Sequence, residues 1–204
     1  MQARTAALNQ LSALLVTAPD HLRSRLGALS GERLAQAAAR LRPRSDVLNG
    51  VLRRLGQRVE RLSKEVADAE RALAALLAEV APHLLEECGV GPVCGAQLLV
   101  SSGDPSRMTS EASFAALAGT SPLDASSGQQ RRHRLNRGGD RQLNRALHVI
   151  ALARIHHHAE TTAYYQRLLA TGKTAREARR CVKRALARYF YRRLREIPTP
   201  ALTT

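Results

Sequence analysis

The chain has no tryptophan and few other aromatic residues, with four tyrosines and two phenylalanines among 204 residues. β-Sandwiches and barrels are rich in aromatic and β-branched side chains, whereas alanine, leucine and arginine dominate this sequence and favour helices. The hydrophobic fraction of 44% is enough for a buried core. We therefore expect an ordered all-α protein of one or two domains with almost no sheet.

Cysteines and long apolar runs are also scarce. The three cysteines, Cys88, Cys94 and Cys181, have neither the paired spacing of a zinc site nor the density of a disulfide scaffold. No window approaches the ~18 consecutive apolar residues of a membrane span, and the N-terminus lacks a signal-peptide pattern. The sequence therefore predicts a soluble, cytoplasmic protein with no membrane partner.

Acidic residues are few, and they are unevenly placed. The chain has 32 Lys and Arg against 17 Asp and Glu, a net charge of +15. Between Gln129 and Arg195 there are 18 Lys and Arg but only three Asp and Glu, and the remaining chain is balanced at 14 of each. Such clustering of positive charge predicts a nucleic-acid partner.

The chain divides by pattern into four segments. Residues 1–44 predict two or three short helices that lead into the fold, and residues 45–81 predict a coiled coil. Residues 82–197 predict a small helical domain, and residues 198–204 form a tail after Pro198. No catalytic constellation falls in the first segment.

The second segment has apolar residues in alternating steps of four and three. These positions are Leu48, Leu52, Leu55, Val59, Leu62, Val66, Ala69, Leu73, Leu76 and Val80. A heptad pattern of this length predicts one helix of about 50 Å at ~1.5 Å per residue. Its partner is either a second copy of the chain or an earlier helix in the same chain, because an apolar seam alone does not name its partner.

The third segment contains, near its start, the sequence Gly-Val-Gly-Pro at residues 89–92, which is followed by an apolar helix. This pattern resembles the turn of helix-hairpin-helix domains, in which glycines let the backbone approach a phosphate. Gly89 and Gly91 are therefore candidate nucleic-acid-binding residues. The alternative is an ordinary tight turn between two packed helices.

A hydroxyl-rich and arginine-rich stretch follows between Ser126 and Arg145. Arginine presents a fork of donors that matches phosphate oxygens, so this stretch predicts a phosphodiester-binding surface. Asp140 is the expected N-cap of the next helix, and a short β-hairpin around residues 129–138 is compatible with the pattern. The candidate binding residues are Gly128, Arg131, Arg132, Arg134, Arg137, Arg141 and Arg145.

The last helix is predicted to begin at the capping-box pattern from Thr174 to Glu177. One face is apolar, and the opposite, basic face carries Arg180, Lys183 and Arg184 as further candidates for binding nucleic acid. No metal site is predicted, because three consecutive histidines, at 156–158, point about 100° apart on a helix and cannot share an ion.

Several stretches, in order, resemble the C-terminal part of the IS-one-ten transposases, DEDD-type insertion-sequence recombinases related to the Piv invertases. The resemblance runs from about Arg4 to Arg195. It rests on NQLSALLVTAPDHLR, the Gly-Val-Gly-Pro turn with GAQLLV, FAALAG followed by Ser-Pro, ASSG, RHRLNRGGDRQ with NRALH, and the GK and RC elements near the end.

The resemblance implies DNA transposition in bacteria, guided by a structured RNA. A serine of the Ser-Gly motif is the family's nucleophile, and it corresponds here to Ser127, with Ser126 as the reserve. Family members also have a ribonuclease-H-like domain with four acidic residues that bind magnesium, and this chain is expected to begin at the linker after that domain. No cofactor is therefore expected in this chain, and magnesium is implied for full-length relatives.

Three readings follow, in order of preference. The first is a transposase fragment that binds DNA, retains the serine and self-associates through its coiled coil, but does not transpose DNA alone. The second is a non-catalytic nucleic-acid-binding coiled-coil protein, either a transposase remnant or a regulator. The third is a helical RNA-binding scaffold unrelated to transposition.

Overall fold

The computed structural model describes residues 1–42, 46–103, 109–121, 123–124, 133–134 and 138–197. The elements found there are helices apart from one pair of two-residue strands, so the all-α class is confirmed. The chain divides into two compact units, called here the N-terminal unit (Met1–Arg71) and the C-terminal unit (Ala72–Thr204). None of the helices in the described ranges combines the length and apolarity needed to cross a membrane.

The N-terminal unit begins with three short helices, as the sequence predicts. They are α1 (Gln2–Val16), α2 (Asp20–Leu26) and α3 (Gly31–Ala39). Pro19 stands directly before α2, and Ser30, in an extended conformation, stands directly before α3. Both residue types are common at helix starts, because proline restricts φ and serine favours the N-cap position.

The core of the N-terminal unit is entirely aliphatic. Its buried residues are Ala7, Leu11, Leu15, Ala18, Leu22, Leu26, Leu34, Ala35, Ala38, Leu41, Leu52 and Val59. The last two belong to α4 (Val47–Val80), which approaches α3 at Gly56. A Cβ atom at Gly56 would lie 2.5 Å from the carbonyl oxygen of Ala35, so the two helix backbones meet there.

Helix α4 is the single long helix that the heptad pattern predicts. Its 34 residues correspond to about 51 Å at ~1.5 Å per residue. Its first apolar positions pack against the short helices, as the intramolecular alternative predicts, with Leu52 and Val59 buried. Near its end Leu76 and Val80 are 59% and 54% exposed. The coiled coil itself stays a prediction.

The C-terminal unit contains the end of α4 and six further helices. These are α5 (Pro82–Leu85), α6 (Pro92–Ser102), α7 (Glu111–Leu117), α8 (Arg141–His157), α9 (Ala159–Ala170) and α10 (Ala175–Arg195). Helix α8 packs against α6, α9 and α10, and α10 also packs against α7 and α9. The core is therefore organised around α8 and α10.

Local capping chemistry explains where these two helices begin. The Asp140 side chain accepts hydrogen bonds from the backbone amides of Gln142 and Leu143 at the start of α8. At the start of α10, Thr174 and Glu177 form the predicted capping box. Both arrangements satisfy amides that have no partner within the helix. The predicted buried face of α8 is also confirmed, and it consists of Leu143, Leu147, Ile150, Ala151 and Ile155.

The buried face of α10 differs in part from the prediction. Lys183, expected on the outward basic face, is only 8% exposed, whereas Tyr189, expected on the apolar face, is 38% exposed. Neighbours on three sides, α7, α8 and α9, widen the covered surface beyond a simple apolar stripe. The prediction that Lys183 faces outward is therefore wrong.

The strand pair joins Leu123–Asp124 (β1) to His133–Arg134 (β2) in antiparallel register. Leu123 is opposite Arg134, and Asp124 is opposite His133. The second strand falls within the expected hairpin at residues 129–138, but its partner lies upstream of that range. The sequence thus located one strand and missed the other.

Candidate nucleic-acid interface

The residues on either side of the serine-containing segment are held together in the C-terminal unit. The amide of Asp140 donates a hydrogen bond of 2.6 Å to the carbonyl oxygen of Leu117, at the end of α7. A Cβ atom at Gly139 would lie 2.6 Å from that same carbonyl and closer still to the amide of Gly119. Glycine is therefore required at position 139. We call residues 117–119 and 139–144 the loop base.

Side chains reinforce the loop base from both ends. The Asn144 side-chain amide donates to the carbonyl oxygen of Ala118 at 2.7 Å. One oxygen of Asp140 caps α8, and the other accepts a hydrogen bond of 2.5 Å from the Ser101 hydroxyl on α6. These hydrogen bonds, with that from Ser101 foremost, lower the pKa of Asp140. Asp140 is therefore a structural carboxylate that stays ionised at neutral pH.

Two of the predicted arginines lie exposed directly after the loop base. Arg141 and Arg145 are the first and fifth residues of α8, and both face solvent as predicted. Residues four apart are neighbours on one helix face, so both guanidinium groups can serve the same phosphate-bearing surface. Neither has a salt bridge to a carboxylate within the described ranges.

Lys183 belongs to the buried support of the loop base rather than to its outer surface. Its ammonium group donates a hydrogen bond of 2.8 Å to the side-chain oxygen of Asn144. Burial, and then the charge of Arg180, lowers the pKa of Lys183. Lys183 therefore holds Asn144 in place, which in turn bonds to Ala118.

Two other predicted residues of α10 are half-buried. Arg180 and Arg184 both lie between the packed and the exposed faces of the helix. Burial, followed by the charge of Arg188, lowers the pKa of Arg184 against the opposing effect of Glu111. One terminal nitrogen of Arg184 is buried without a hydrogen-bond partner among the residues described. These two arginines are therefore less available to a ligand than Arg141 and Arg145.

His148 was not singled out from the sequence, although it lies one turn after Asn144 on the same face of α8. It is half-buried. Burial and then the nearby charges of Lys183 and Arg179 lower its pKa, so the neutral imidazole is favoured. A neutral imidazole can accept a proton or a hydrogen bond, so His148 is a candidate acceptor one helical turn after Asn144.

The glycine turn has one sterically constrained glycine and one free one. Gly89 has a φ of +82°, and a Cβ atom there would lie 2.9 Å from that of Ala153 on α8. Gly91 precedes α6 with a φ of −87° and is exposed, and a Cβ atom at this position would meet no described atom within 4 Å. Packing against α8 thus explains why position 89 is glycine, as the alternative of an ordinary tight turn predicts. Packing does not explain the glycine at position 91, which is exposed at the start of α6 and can approach a ligand.

A buried ion-pair cluster fixes this turn, and sequence reasoning missed it. Arg154, only 5% exposed, donates to the carbonyl oxygen of Cys88 at 2.8 Å and to the Glu87 carboxylate at 2.5 Å. Glu87 also accepts hydrogen bonds from Tyr189 at 2.5 Å and from Arg193 at 3.0 Å. The Arg154 guanidinium lies 4.9 Å from the centre of the Tyr189 ring. We call these four side chains the Glu87 cluster.

The pKa of Glu87 reports the balance of forces in this cluster. Burial alone would raise it, but the hydrogen bond from Tyr189 and the interactions with Arg154 and Arg193 together lower it. Glu87 is therefore ionised at neutral pH despite being only 11% exposed. A buried charge of this kind persists only with several donors around it.

The remaining predicted site residues lie outside the described ranges. These are Ser126, Ser127, Gly128, Arg131, Arg132 and Arg137. Arg134 is described only as part of strand β2. Within the described ranges, no group of three or more His, Cys, Asp and Glu side chains could hold a metal ion. The described residues therefore offer no fit for magnesium, and no chemical step is assigned to that ion.

The fold and its loop base thus define an all-α domain in which the residues flanking a serine- and arginine-rich segment are joined by hydrogen bonds. Residues 81–166 match the sequence model of the family described as "Transposase IS116/IS110/IS902 family". A further similar protein is the "Insertion element IS110 uncharacterized 43.6 kDa protein" of Streptomyces coelicolor, which is 37% identical over 100 residues. That alignment covers 48% of this chain and 25% of the relative. Residues 81–166 are therefore similar to the transposase domain of the IS110 family, in agreement with the resemblance found in the sequence.

Proposed function

We propose that this chain is the serine-bearing part of a DNA transposase, with Ser127 as the nucleophile. The observation that carries the proposal is the loop base, with exposed Arg141 and Arg145 beside it, inside the segment that matches the transposase family. A segment that is joined at its base and flanked by exposed guanidinium groups suits a phosphodiester substrate.

The proposed reaction forms a covalent protein–DNA intermediate. The Ser127 hydroxyl oxygen attacks a DNA phosphorus, an oxygen–phosphorus bond forms, and the bond from phosphorus to the leaving sugar oxygen breaks. The leaving sugar takes up the proton that the serine loses, so atoms and charge balance. A serine hydroxyl needs a base or nearby cations to react at a useful rate. Arg141 and Arg145 supply cations, while the implied acidic domain would complete the site.

A covalent-adduct assay tests this role. The chain is mixed with labelled element-end DNA, magnesium and a ribonuclease-H-like domain from a full-length relative, and adducts are separated under denaturing conditions. We expect an adduct with wild-type protein and with Ser126→Ala, and none with Ser127→Ala. If none of the three proteins forms an adduct, the hypothesis of a non-catalytic binding protein is favoured. An adduct without the acidic domain would refute our expectation that the chain is inactive alone.

The binding surface is tested separately from the chemistry. We expect the double variant Arg141→Gln/Arg145→Gln to weaken duplex DNA binding and to make the negative slope of log K against log salt shallower by about 2, because each phosphate contact contributes about −0.9 to it. The control is Arg167→Gln/Arg195→Gln, which removes the same charge from exposed positions outside the predicted set. Equal losses in both variants would show that only net charge matters.

Self-association through α4 is part of the same proposal. Leu76 and Val80 belong to the heptad pattern and are more than half exposed, as expected for a surface that pairs with a second copy. Light scattering should give a dimer or larger assembly for wild type and a smaller mass for Leu76→Glu. Ala75→Glu, an exposed change one residue away, is the matched control. A monomer in all three proteins would remove this part of the proposal. A structured guide RNA also belongs to the proposal, on the resemblance alone.

A further inference from the structure

The N-terminal unit contains a cleft that the sequence did not reveal. It lies where α2, the end of α3 and the start of α4 meet, and its volume is about 520 Å³. It is lined by His21, Leu22, Arg25, Arg40, Leu41, Arg42 and Asn49. A volume in this range is typical of pockets that hold a small organic ligand rather than a single ion.

The charge of the cleft is one-sided. Three of its seven lining residues are arginines, a fourth is a histidine, and none is acidic. The guanidinium-bearing residues Arg25, Arg40 and Arg42 are all exposed. Collecting like charges around one cleft is unfavourable unless an anion enters it.

Nearby carboxylates are committed to other partners. Asp20 pairs with Arg23 on the same helix, outside the lining. Asp46 accepts a hydrogen bond of 2.9 Å from the amide of Leu48, at the start of α4. In the part of the chain that the structure describes, no carboxylate is in a salt bridge with the arginines of the cleft.

Helix electrostatics account for only part of this cluster. Arg25 lies in the last turn of α2 and Arg40 is the C-cap of α3, where positive charge stabilises a helix by ~0.3–1 kcal/mol. Arg42 lies beyond α3, and His21 lies in the first turn of α2, where the helix dipole disfavours positive charge. Two of the four basic groups thus have no structural explanation in the dipoles.

We propose that this cleft binds a phosphate group of a polynucleotide backbone, as a second nucleic-acid contact within Met1–Arg71. Arginine forks match phosphate oxygens in two parallel hydrogen bonds, and three of them can surround one phosphodiester. The imidazole of His21 adds a flat surface for a ribose or a base. The lining residues all belong to the N-terminal unit and include neither Ser127 nor the arginines of α8, so the proposal does not rest on the transposase reaction.

The first experiment uses the full chain and follows the His21 ring by NMR. Its signal is assigned with His21→Gln, and inorganic pyrophosphate is the probe. We expect the probe to shift the His21 signal in wild type and in Arg141→Gln/Arg145→Gln, but not in Arg25→Gln/Arg40→Gln/Arg42→Gln. Retention of the shift in the cleft variant, or its absence in wild type, would overturn the proposal.

The second experiment measures binding of three oligonucleotides of one sequence, as single-stranded RNA, single-stranded DNA and duplex DNA. We expect the cleft variant to bind at least one of them about 10-fold more weakly near 0.1 M salt, with a shallower salt slope. The control Arg33→Gln/Arg54→Gln/Arg58→Gln removes the same charge from exposed positions that do not line the cleft.

The outcomes separate the sources of the phosphate. A larger loss of affinity for RNA would indicate that the cleft binds an RNA backbone, and a larger loss for duplex DNA would indicate that it binds a DNA backbone. Equal losses for the three oligonucleotides would indicate that it recognises the phosphate alone. Each of these supports the cleft, provided the control loses less than about twofold. Equal losses in the cleft and control variants would show that the effect is one of net charge and would refute the proposal. Circular dichroism confirms that all variants are folded.

Discussion

The two units handle charge in opposite ways. The N-terminal unit buries only aliphatic residues and leaves its arginines at the surface, three of them around one cleft. The C-terminal unit buries Arg154 and Lys183 and leaves the side chain of Glu87 only 11% exposed, and these residues fix a turn and a loop base. Buried charges cost free energy unless they are paired, and here each one is held by specific hydrogen bonds. We infer that the exact placement of side chains matters more in the C-terminal unit, because the proposed chemistry lies there.

The largest test of this comparison removes the centre of the Glu87 cluster. We expect Glu87→Ala to lower the free energy of unfolding of the C-terminal unit by about 3–5 kcal/mol, because Arg154 would remain buried without its carboxylate. Urea unfolding measures the loss. The control is Glu111→Ala, whose ion pair with Arg192 lies at the surface and is worth ~0–1 kcal/mol. Similar losses in both variants would show that the Glu87 cluster contributes no more to stability than a surface ion pair.

The Glu87 cluster also predicts a dependence on pH. The folded-state pKa of Glu87 is lowered, so its contribution is complete above the unfolded-state value of ~4.3 and is lost as the pH falls through the folded-state value. Glu87→Gln should lack this part of the acid dependence. Parallel stability curves of wild type and Glu87→Gln below pH 5 would contradict the assignment.

A second test concerns the N-terminal unit, where backbone contact replaces buried charge. Gly56→Ala should destabilise this unit by ~1–3 kcal/mol, because the added methyl group meets the backbone of α3. Helix propensity alone predicts the opposite, a gain of ~1 kcal/mol. The sign of the change in thermal unfolding therefore decides whether close helix packing or propensity governs position 56.

A smaller effect is expected from the buried lysine. Lys183→Met keeps an unbranched apolar stem but leaves the side-chain oxygen of Asn144 without its donor. We expect a loss of about 1 kcal/mol, which is the usual net value of one hydrogen bond. Arg188→Met, an exposed change on the same helix, should cost less. A more stable Lys183→Met would show that the cost of burying the charge exceeds the value of the bond.

The smallest effect is a change in the titration of His148. Burial lowers its pKa first, and the charges of Lys183 and Arg179 add to that effect. Lys183→Met should therefore raise the pKa of His148, as followed by NMR, while Arg167→Met should leave it unchanged. Because the folded-state pKa is lowered, stability falls as pH decreases below the unfolded-state value of ~6.5. His148→Gln should reduce that fall.

Features determined by neighbouring residues could be predicted from the sequence. The caps at Asp140 and at Thr174 with Glu177 form between residues at most three apart, so the starts of α8 and α10 were predicted correctly. The length of α4 follows from a periodic pattern in the same way. The family resemblance also agrees with the match of residues 81–166 to the transposase family model.

Features that join distant parts of the chain could not be predicted. Glu87 and Arg154 are 67 positions apart, and only the packing of α8 brings them together. The sequence predicts that Lys183 lies on the exposed basic face of α10. The packing of α7, α8 and α9 around α10 buries it, and this packing is not visible in the local sequence. The cleft arginines lie outside the strongly basic stretch from Gln129 to Arg195, and a sum of charges over residues does not show which side chains converge.

The loop base has a consequence for how this domain can vary. Since Asp140 bonds directly to Leu117, the helices on either side are positioned whatever chain connects them. The entropy of closing a loop grows only with the logarithm of its length, by ~0.6 kcal/mol for each doubling. Insertions between residues 121 and 138 therefore add little to the entropy cost of closing this segment. Substrate preference could diverge among relatives by exchange of this one segment while the surrounding helices stay the same.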